Sequence, residues 1–385
     1  MKNEVVSKYN IITMLNALTW AVANPVLFIF LISKGLTLGE AGLFFVIHSA
    51  AIVLGEIPTG AFADAYGRKK SAMASFAFSA IGVLLLIAGG QKHEIFLAAA
   101  LIGMADSFSS GAIDAWAIDR LKERGQLRLS TSLFAGGHRI MLATLLFGGI
   151  MGGLVGEISK VFAVALGLPF ALYGIFYCSR LPEKTPKMEF ARAESSIMRR
   201  VAKALKECFS NPRLLALVAI SGLAGAATFG LFVYWQPAFG RLFGWGAKEF
   251  GFLFAAMALA GIAGTALGER MAAKKYAFAI TLACAGAFAM AAGFAWAAVP
   301  TLMLYLIFEV WMGAQNPIGN KLLHEEAKSS ERATVGSIKN LGYRLGWAAA
   351  GLAIYLAGSP DLPGNWMISG AILIAAAAVA WKMGF

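Results

Sequence analysis

Long apolar stretches separated by short polar loops dominate the pattern along the chain. Almost every residue within a stretch such as 12–32 or 282–299 is apolar. Each stretch approaches the ~20 residues that a helix needs to cross a bilayer, whereas strands of a membrane β-barrel would be shorter and would alternate in polarity. We therefore predict an all-α membrane protein with twelve transmembrane helices, at 9–33, 40–63, 71–89, 95–118, 131–156, 159–178, 214–239, 250–269, 276–298, 301–319, 335–357 and 365–381.

The composition supports a membrane protein and places its charges in the loops. Of the 385 residues, 59% are hydrophobic and 14% are charged, which is far more apolar than a soluble domain. The net charge of +12 comes from Lys and Arg in short loops, where they set topology and meet lipid headgroups, so we do not expect nucleic-acid binding. The positive-inside rule predicts that both termini are cytoplasmic, and we expect a multi-pass protein of the cell's inner membrane.

A charged segment divides the chain into two halves of similar size. We predict a six-helix bundle over 1–180, a cytoplasmic linker over 181–212 and a second six-helix bundle over 213–385. Within the linker, apolar residues recur at helical spacing, which favours an amphipathic helix at the membrane surface, although a solvated loop is the alternative. These apolar residues are Ile197, Met198, Val201, Leu205 and Phe209.

The two halves are related by an internal repeat. A single offset aligns charged and polar residues in two separate regions, and charges beside membrane spans are rare enough to make the match informative. The aligned pairs are Asp64 with Glu269, Lys69 with Lys274, Lys70 with Lys275, Ser132 with Ser337 and Arg139 with Arg344. We therefore predict two pseudo-symmetric six-helix repeats.

The loop between the second and third predicted spans carries a specific motif. It reads Gly-Ala-Phe-Ala-Asp-Ala-Tyr-Gly-Arg-Lys-Lys from Gly60 to Lys70 and resembles the signature loop of the major facilitator superfamily, with Ala65 where that family usually has a basic residue. The resemblance implies a transporter that works by alternating access and carries no cofactor. It also implies a single functional chain, so we expect a monomer.

The same resemblance implies that this loop is a cytoplasmic latch formed by Gly60, Asp64, Gly67, Arg68 and Asp119. Asp64 would face the N-terminal end of the eleventh helix near 330–334, and Arg68 would pair with Asp119. Together these contacts would hold an outward-facing state. The alternative is that the basic residues at 68–70 only set topology.

Six glycine-rich positions in the fifth span resemble the antiporter motif of drug exporters in this superfamily. They run from Gly148 to Gly153, with Gly149 in place of the usual proline. Glycines at this spacing also allow two helices to approach closely, so ordinary tight packing is the alternative.

Ionisable residues inside predicted spans are the candidates for proton coupling, because a charge at membrane depth is costly and is retained mainly for function. Asp106 and Glu309 lie in corresponding helices of the two repeats and are the principal candidates. The remaining candidates are Asp114, Glu56, Arg139 and Arg344. Alternatively, Arg139 neutralises the acids of the first half, and Lys339 or Arg344 neutralises Glu309, as structural pairs.

Polar and aromatic residues on the first and seventh spans are the candidates for a central substrate cavity, because those helices occupy matching places in the two repeats. They are Asn16, Trp20 and Asn24 in the first span, and Thr228, Trp235 and Gln236 in the seventh. Hydrogen bonds that only join helices are the alternative role.

The function that these features favour is proton-coupled export of a small amphipathic or cationic compound. No phosphate-binding loop and no cluster with metal-ligand spacing occurs, so we expect neither an ATP-driven pump, an enzyme nor a metal site. The first alternative is a proton-coupled uptake symporter for a small organic solute. The second is a membrane sensor that does not transport.

Overall fold

The computed structural model describes residues 4–183, 190–328, 332–358 and 360–385. These residues form sixteen α-helices and one short 3₁₀ helix, Leu127–Leu129, and the described chain contains no strand. In chain order the α-helices are α1 (Glu4–Ala21), α2 (Asn24–Ser33), α3 (Leu38–Tyr66), α4 (Arg68–Ala88), α5 (Lys92–Ser109), α6 (Ala112–Glu123), α7 (Ser130–Ile158), α8 (Lys160–Ala165), α9 (Gly167–Ser179), α10 (Phe190–Ser210), α11 (Pro212–Phe243), α12 (Ala247–Met271), α13 (Ala277–Ala295), α14 (Ala298–Glu326), α15 (Arg332–Leu356) and α16 (Leu362–Lys382).

Twelve transmembrane helices are present, as the hydrophobic pattern predicts. Eleven helical segments in the described chain are long and apolar enough to cross a membrane. The twelfth is α15, which has 25 residues but is less apolar because Arg332, Lys339 and Arg344 lie within it. The prediction of an all-helical fold with two six-helix bundles is confirmed.

Three of the spans that the sequence predicts as continuous helices are interrupted, which corrects the prediction. The first span breaks between α1 and α2, where Pro25 occupies the first turn of the second piece. The fourth span breaks at Gly111, whose φ of +69° is left-handed and ends α5 before α6 begins. The sixth span divides into α8 and α9 at Leu166.

The described residues cluster into two compact units. The first comprises Met1–Lys34, Ala50–Met198 and Ala247–Ala255. Its core is formed by apolar residues of α1, α4, α6 and α9, including the fully buried Phe76 and Leu121. Small residues allow close packing here, since a Cβ on Gly174 would lie 2.5 Å from the Phe76 ring.

The second unit comprises Gly35–Ser49, Arg199–Gly246 and Ala256–Phe385. Its helices also meet through glycines: a Cβ on Gly286 of α13 would lie 2.7 Å from the Gly370 carbonyl of α16. The first part of α3 packs in this unit, where Ser49 donates a hydrogen bond to the Arg344 carbonyl at 3.3 Å. The first part of α3 belongs to the second unit, and the first part of α12 belongs to the first unit. These two segments occupy equivalent places in the predicted repeat. The domain boundaries at 180 and 213 remain a prediction.

The helix α10 occupies most of the predicted linker, while residues 184–189 lie outside the described part of the chain. The apolar stripe that the sequence predicts on it is split between two faces. Ile197 packs against Ala61 and Ala65 of α3, whereas Met198, Leu205 and Phe209 are exposed.

Candidate substrate and proton site

The buried carboxyl group of Glu309 is the central feature of the second unit. Glu309 lies in the middle of the continuous helix α14 and is only 7% exposed. Its Oε1 atom has no hydrogen-bond partner among the described residues, and the hydroxyl of Tyr305, one turn earlier, lies next to the carboxyl. An ionised carboxylate is costly to bury without a cationic partner. The group is therefore suited to hold either a proton or a cation.

A row of aromatic rings extends from this carboxyl across three helices of the second unit. Tyr305 and Phe308 of α14 are completely buried, with ring centroids 5.7 Å apart. Phe308 continues to Phe232 of α11 at 5.9 Å, and Phe232 stacks on Trp347 of α15 at 6.3 Å. Trp347 then stacks on Tyr343 at 6.0 Å. Aromatic faces attract cations, so a carboxylate at one end of such a row favours an amphipathic cation.

Neither of the basic residues proposed to neutralise Glu309 forms an ion pair with it among the described residues. Lys339 of α15 donates to Asn320 Oδ1 at 3.1 Å. Arg344 is half-buried and lies within electrostatic reach of Tyr343, as does Glu309 itself. No ion pair joins Glu309 to either cation within the described ranges. The alternative of a structural pair at Glu309 is therefore not the arrangement observed.

The acids of the first unit have a more open setting. Asp106 is half-buried in the last turn of α5, next to the break at Gly111, rather than in the middle of a continuous helix. Asp114 is exposed in the first turn of α6 and accepts a hydrogen bond from the Tyr9 hydroxyl at 2.8 Å. Glu56 is half-buried in α3. These three side chains are therefore more exposed than the side chain of Glu309.

Arg139 does not neutralise the acids of its own unit. It is exposed on α7, and it forms no ion pair with a carboxylate of the described residues. Nearby, Tyr9 packs closely against Gly137, where a Cβ would lie 2.5 Å from the ring. Asn10 Oδ1 is buried without a hydrogen-bond partner among the described residues. The first unit therefore presents polar groups on α1 beside α7.

The predicted cavity residues fall into a half-buried set and a buried set. In the first unit Asn16, Trp20 and Asn24 are half-buried, and the helix break at 22–23 separates Asn24 from the other two. In the second unit, Thr228 is completely buried and its hydroxyl is 2.7 Å from the Tyr343 hydroxyl, which links α11 to α15. Trp235 and Gln236 are 5% and 3% exposed, respectively, so both pack inside the unit.

Four of the five predicted latch residues line one cavity of about 460 Å³ at the end of α3. They are Asp64, Gly67, Arg68 and Asp119, and Glu183 lines the same cavity. The Arg68 guanidinium lies 2.7 Å from Asp64 Oδ1. Gly60 packs against Ile197 of α10. The predicted contact of Asp64 with residues 330–334 falls partly outside the described residues, and the pairing of Arg68 with Asp119 stays a prediction.

Glu183 is a member of this cavity that sequence reasoning missed. Its Oε1 and Oε2 atoms accept hydrogen bonds from the backbone N–H groups of Arg68 and Lys69, at 2.7 and 3.1 Å. A carboxylate in this position caps the N-terminus of α4 and complements its dipole. The Gly67 backbone, with φ of +107°, leaves room for it, since a Cβ there would contact the Glu183 carboxylate.

The glycine-rich stretch of α7 forms a close helix contact within the first unit. A Cβ on Gly153 would lie 2.6 Å from the Gly251 Cα of α12, and a Cβ on Gly149 would lie 2.5 Å from the Phe254 ring. Tight packing, the alternative role for these glycines, therefore accounts for their positions. A role of this stretch in antiport stays a prediction.

Three tyrosines were missed because sequence reasoning concentrated on charged residues. Tyr9, Tyr305 and Tyr343 each place a hydroxyl beside a carboxyl or another hydroxyl of the candidate sites. The available signal was spacing, since Tyr305 precedes Glu309 by one helical turn. No group of three metal-ligating side chains occurs among the residues that the structure describes.

Comparisons with known proteins agree with this architecture. The sequence profile of the family described as "Major Facilitator Superfamily" matches residues 9–351. An uncharacterized MFS-type transporter, YxaM of Bacillus subtilis (strain 168), is 24% identical over 244 residues, which cover 63% of this chain and 60% of that protein.

Solved structures show the same fold over nearly the whole chain. The nucleoside transporter NupG aligns with a TM-score of 0.79 at 14% identity, covering 99% of both chains. A POT family transporter in complex with 5-aminolevulinic acid aligns with a TM-score of 0.73 at 12% identity, covering 98% of this chain and 96% of that one. The chain therefore belongs to the major facilitator superfamily, a family of secondary transporters and not of enzymes.

Proposed function

We propose that this transporter exports a small amphipathic or cationic compound in exchange for protons, and that Glu309 binds the exchanged ion. The observation that carries the proposal is the Glu309 carboxyl, which is buried in α14 with one oxygen unpartnered among the described residues. A proton and an organic cation compete for such a group, because either one removes the cost of burying its negative charge. Competition for one carboxyl is the simplest basis for exchange.

The aromatic row supports an amphipathic cation as the substrate. Phe232 and Trp347 are half-buried, so their rings keep one side accessible, while Tyr305 and Phe308 are packed behind them. Rings of this kind bind apolar surface and positive charge together. The drug-exporter resemblance of the sequence is consistent with this substrate class.

We place the linker and both termini on the cytoplasmic side of the cell's inner membrane. This orientation follows from the concentration of Lys and Arg in the loops at the end of α3 and in α10. The latch cavity would then lie on the cytoplasmic side and stabilise the outward-facing state.

The test is uptake of a radiolabelled lipophilic cation, tetraphenylphosphonium, into proteoliposomes with an imposed pH gradient and a clamped membrane potential. An antiporter should accumulate the cation in vesicles that are acidic inside, because outward proton flow drives inward exchange. Asp106→Asn and Glu309→Gln vesicles are compared with wild type at equal protein content.

Accumulation only in vesicles that are alkaline inside would identify a symporter and overturn the export proposal. Cation uptake that is the same whichever way the pH gradient is imposed would show that transport is not coupled to protons. Protein-free liposomes measure the passive leak of the cation.

A further inference from the structure

The helix α10 lies outside the candidate membrane spans, yet it exposes large apolar side chains. Met198, Leu205 and Phe209 are 55%, 37% and 71% exposed. Residues seven and eleven positions apart fall on the same side of a helix, so the three side chains form one apolar flank. The helix is held to the protein through a different face, which buries Ala204 and Cys208.

The side of α10 that lies opposite its buried face, and next to the apolar flank, is basic. Arg199, Lys203 and Lys206 follow the apolar flank around the helix, and Arg199 and Lys206 are exposed. Basic residues beside an exposed apolar flank are the features of a helix that lies in the interface of an anionic membrane. Because Phe209 comes three residues before Pro212, where the membrane-spanning helix α11 begins, the flank must also lie close to the membrane boundary.

A cavity of about 620 Å³ lies next to the basic face and adds a second, independent feature. Lys203, Lys206 and Lys328 line it, together with Ser210 and Asn211 at the start of α11.

The carboxylates at this cavity already have partners. Glu326 is 2.6 Å from the Arg213 guanidinium, and Glu207 accepts the backbone N–H of Lys328 at 3.0 Å. Three lysines and two carboxylates line the cavity, and one of the carboxylates is paired with Arg213, so the cavity carries a net positive charge, which suits a phosphate group.

We propose that α10 docks on the surface of an anionic phospholipid membrane. In this arrangement Met198, Leu205 and Phe209 enter the interface, and the cavity at Lys203, Lys206 and Lys328 holds the phosphate of one lipid headgroup. The charge complementarity selects anionic over zwitterionic lipid, and the apolar flank selects lipid over free phosphate. The assignment does not depend on the identity of the transported compound.

The experiment measures which lipid is enriched beside α10 in the full-length protein. A bimane fluorophore is attached at Leu205→Cys in a Cys284→Ser background. Cys178 and Cys208 are buried and stay in place, burial raises the pKa of the Cys208 thiol, and the same labelling of the protein without Leu205→Cys measures the background. The protein is reconstituted in phosphatidylcholine with a small fraction of brominated phosphatidylglycerol or brominated phosphatidylcholine, and quenching is compared.

We expect stronger quenching by the brominated phosphatidylglycerol. Lys203→Gln with Lys206→Gln should reduce that preference by roughly fivefold for each lysine, since each basic residue near an anionic surface contributes about that factor. The matched control, Lys274→Gln with Lys275→Gln, removes the same charge from the loop before α13 and should leave the preference unchanged.

Three results would overturn the proposal. Quenching at Leu205→Cys that is no greater than at Lys122→Cys, an exposed site on α6, would show that the flank is not in lipid. Equal quenching by the two brominated lipids would remove the anionic selectivity. Loss of the preference on adding inorganic phosphate would assign the cavity to free phosphate. These comparisons use the folded parent protein, so they remain decisive if the double lysine variant does not fold.

Discussion

The fourth and tenth spans are corresponding helices of the two repeats, and each carries an acid that the sequence alone makes equally interesting. The tenth span is the continuous helix α14, and it buries Glu309 beside Tyr305. The fourth span is broken at Gly111, and Asp106 lies half-buried in the turn before the break. Repeat symmetry therefore fixes the placement of these acids along the chain but not their environment.

The difference suggests a division of labour between the repeats. A buried acid can change its proton only when a cation or a conformational change compensates it, whereas an accessible acid can exchange protons with water at any time. We therefore expect Glu309 of the second repeat to couple proton movement to substrate movement. We expect Asp106 of the first repeat only to exchange protons with water. The following predictions test that comparison, beginning with the largest expected effect.

Glu309→Gln should lower pH-driven cation uptake by about 100-fold, because it removes a group that must take up and release a proton in each cycle. Asp106→Asn should lower uptake by less than about tenfold, because other groups can supply protons to an accessible position. Both are measured in proteoliposomes at equal protein content. Equal losses in the two variants would mean that the repeats share coupling.

Gly313→Val in α14 should be strongly destabilising. A Cβ at this position would lie 2.5 Å from the Gly261 carbonyl, so the added side chain should cost about 2–3 kcal/mol and lower the Tm of the detergent-solubilised protein. Gly111→Ala at the break in the fourth span should cost only about 1–2 kcal/mol, from its left-handed backbone, because no atom lies within 4 Å of the new Cβ. Gly261→Ala has an open Cβ position and is the control. A larger loss at Gly111 would reverse this order.

Substitutions of Tyr305 and Tyr9 should have different effects, the first on transport and the second on stability. Tyr305→Phe removes a buried hydroxyl that donates to the Leu231 carbonyl at 3.3 Å and lies beside Glu309, so uptake should fall about tenfold. Tyr9→Phe removes the bond to Asp114 and should lower the unfolding free energy by about 1 kcal/mol, with uptake within about twofold of wild type. Transport assays and thermal unfolding are run on the same preparations. Normal uptake by Tyr305→Phe would show that the Tyr305 hydroxyl has no role at the Glu309 site.

The smallest effect concerns the starts of the third and ninth spans, α4 and α13. Glu183 caps α4, whereas α13 follows Tyr276 without a side-chain cap bond. Glu183→Gln should therefore lower stability by about 0.5 kcal/mol, since it removes a charge from a helix N-terminus. Glu123→Gln, in the same cavity and at a residue paired with Arg120, is the control for the charge change. A Tm loss shared by both variants would indicate general electrostatics rather than capping.

The sequence predicts the fold well because membrane spans depend on local composition. Twelve apolar stretches, the signature loop and the repeat are all features of the linear pattern, and the structure confirms the twelve helices. Breaks in helices are harder to foresee: Gly111 is one of 43 glycines, and the local sequence does not mark it as the one whose left-handed backbone ends α5.

The candidate site could be predicted only in part. Glu309 was identifiable because an acid inside an apolar span is rare. Its partner Tyr305 and the ring row through Phe232 and Trp347 resemble ordinary aromatic core residues until three helices are assembled. Glu183 was missed because a contact with α4, more than a hundred residues earlier in the chain, is invisible in the local pattern.

The most direct test of the central claim is proton movement caused by the substrate itself. Tetraphenylphosphonium is added to proteoliposomes that contain a trapped pH-sensitive dye, without an imposed pH gradient and with the membrane potential clamped. Wild type should make the vesicle interior alkaline as the cation enters and protons leave, and Glu309→Gln should abolish this signal while the protein keeps the Tm of wild type. An unchanged proton signal in Glu309→Gln would contradict the assignment of coupling to the buried acid of the second repeat.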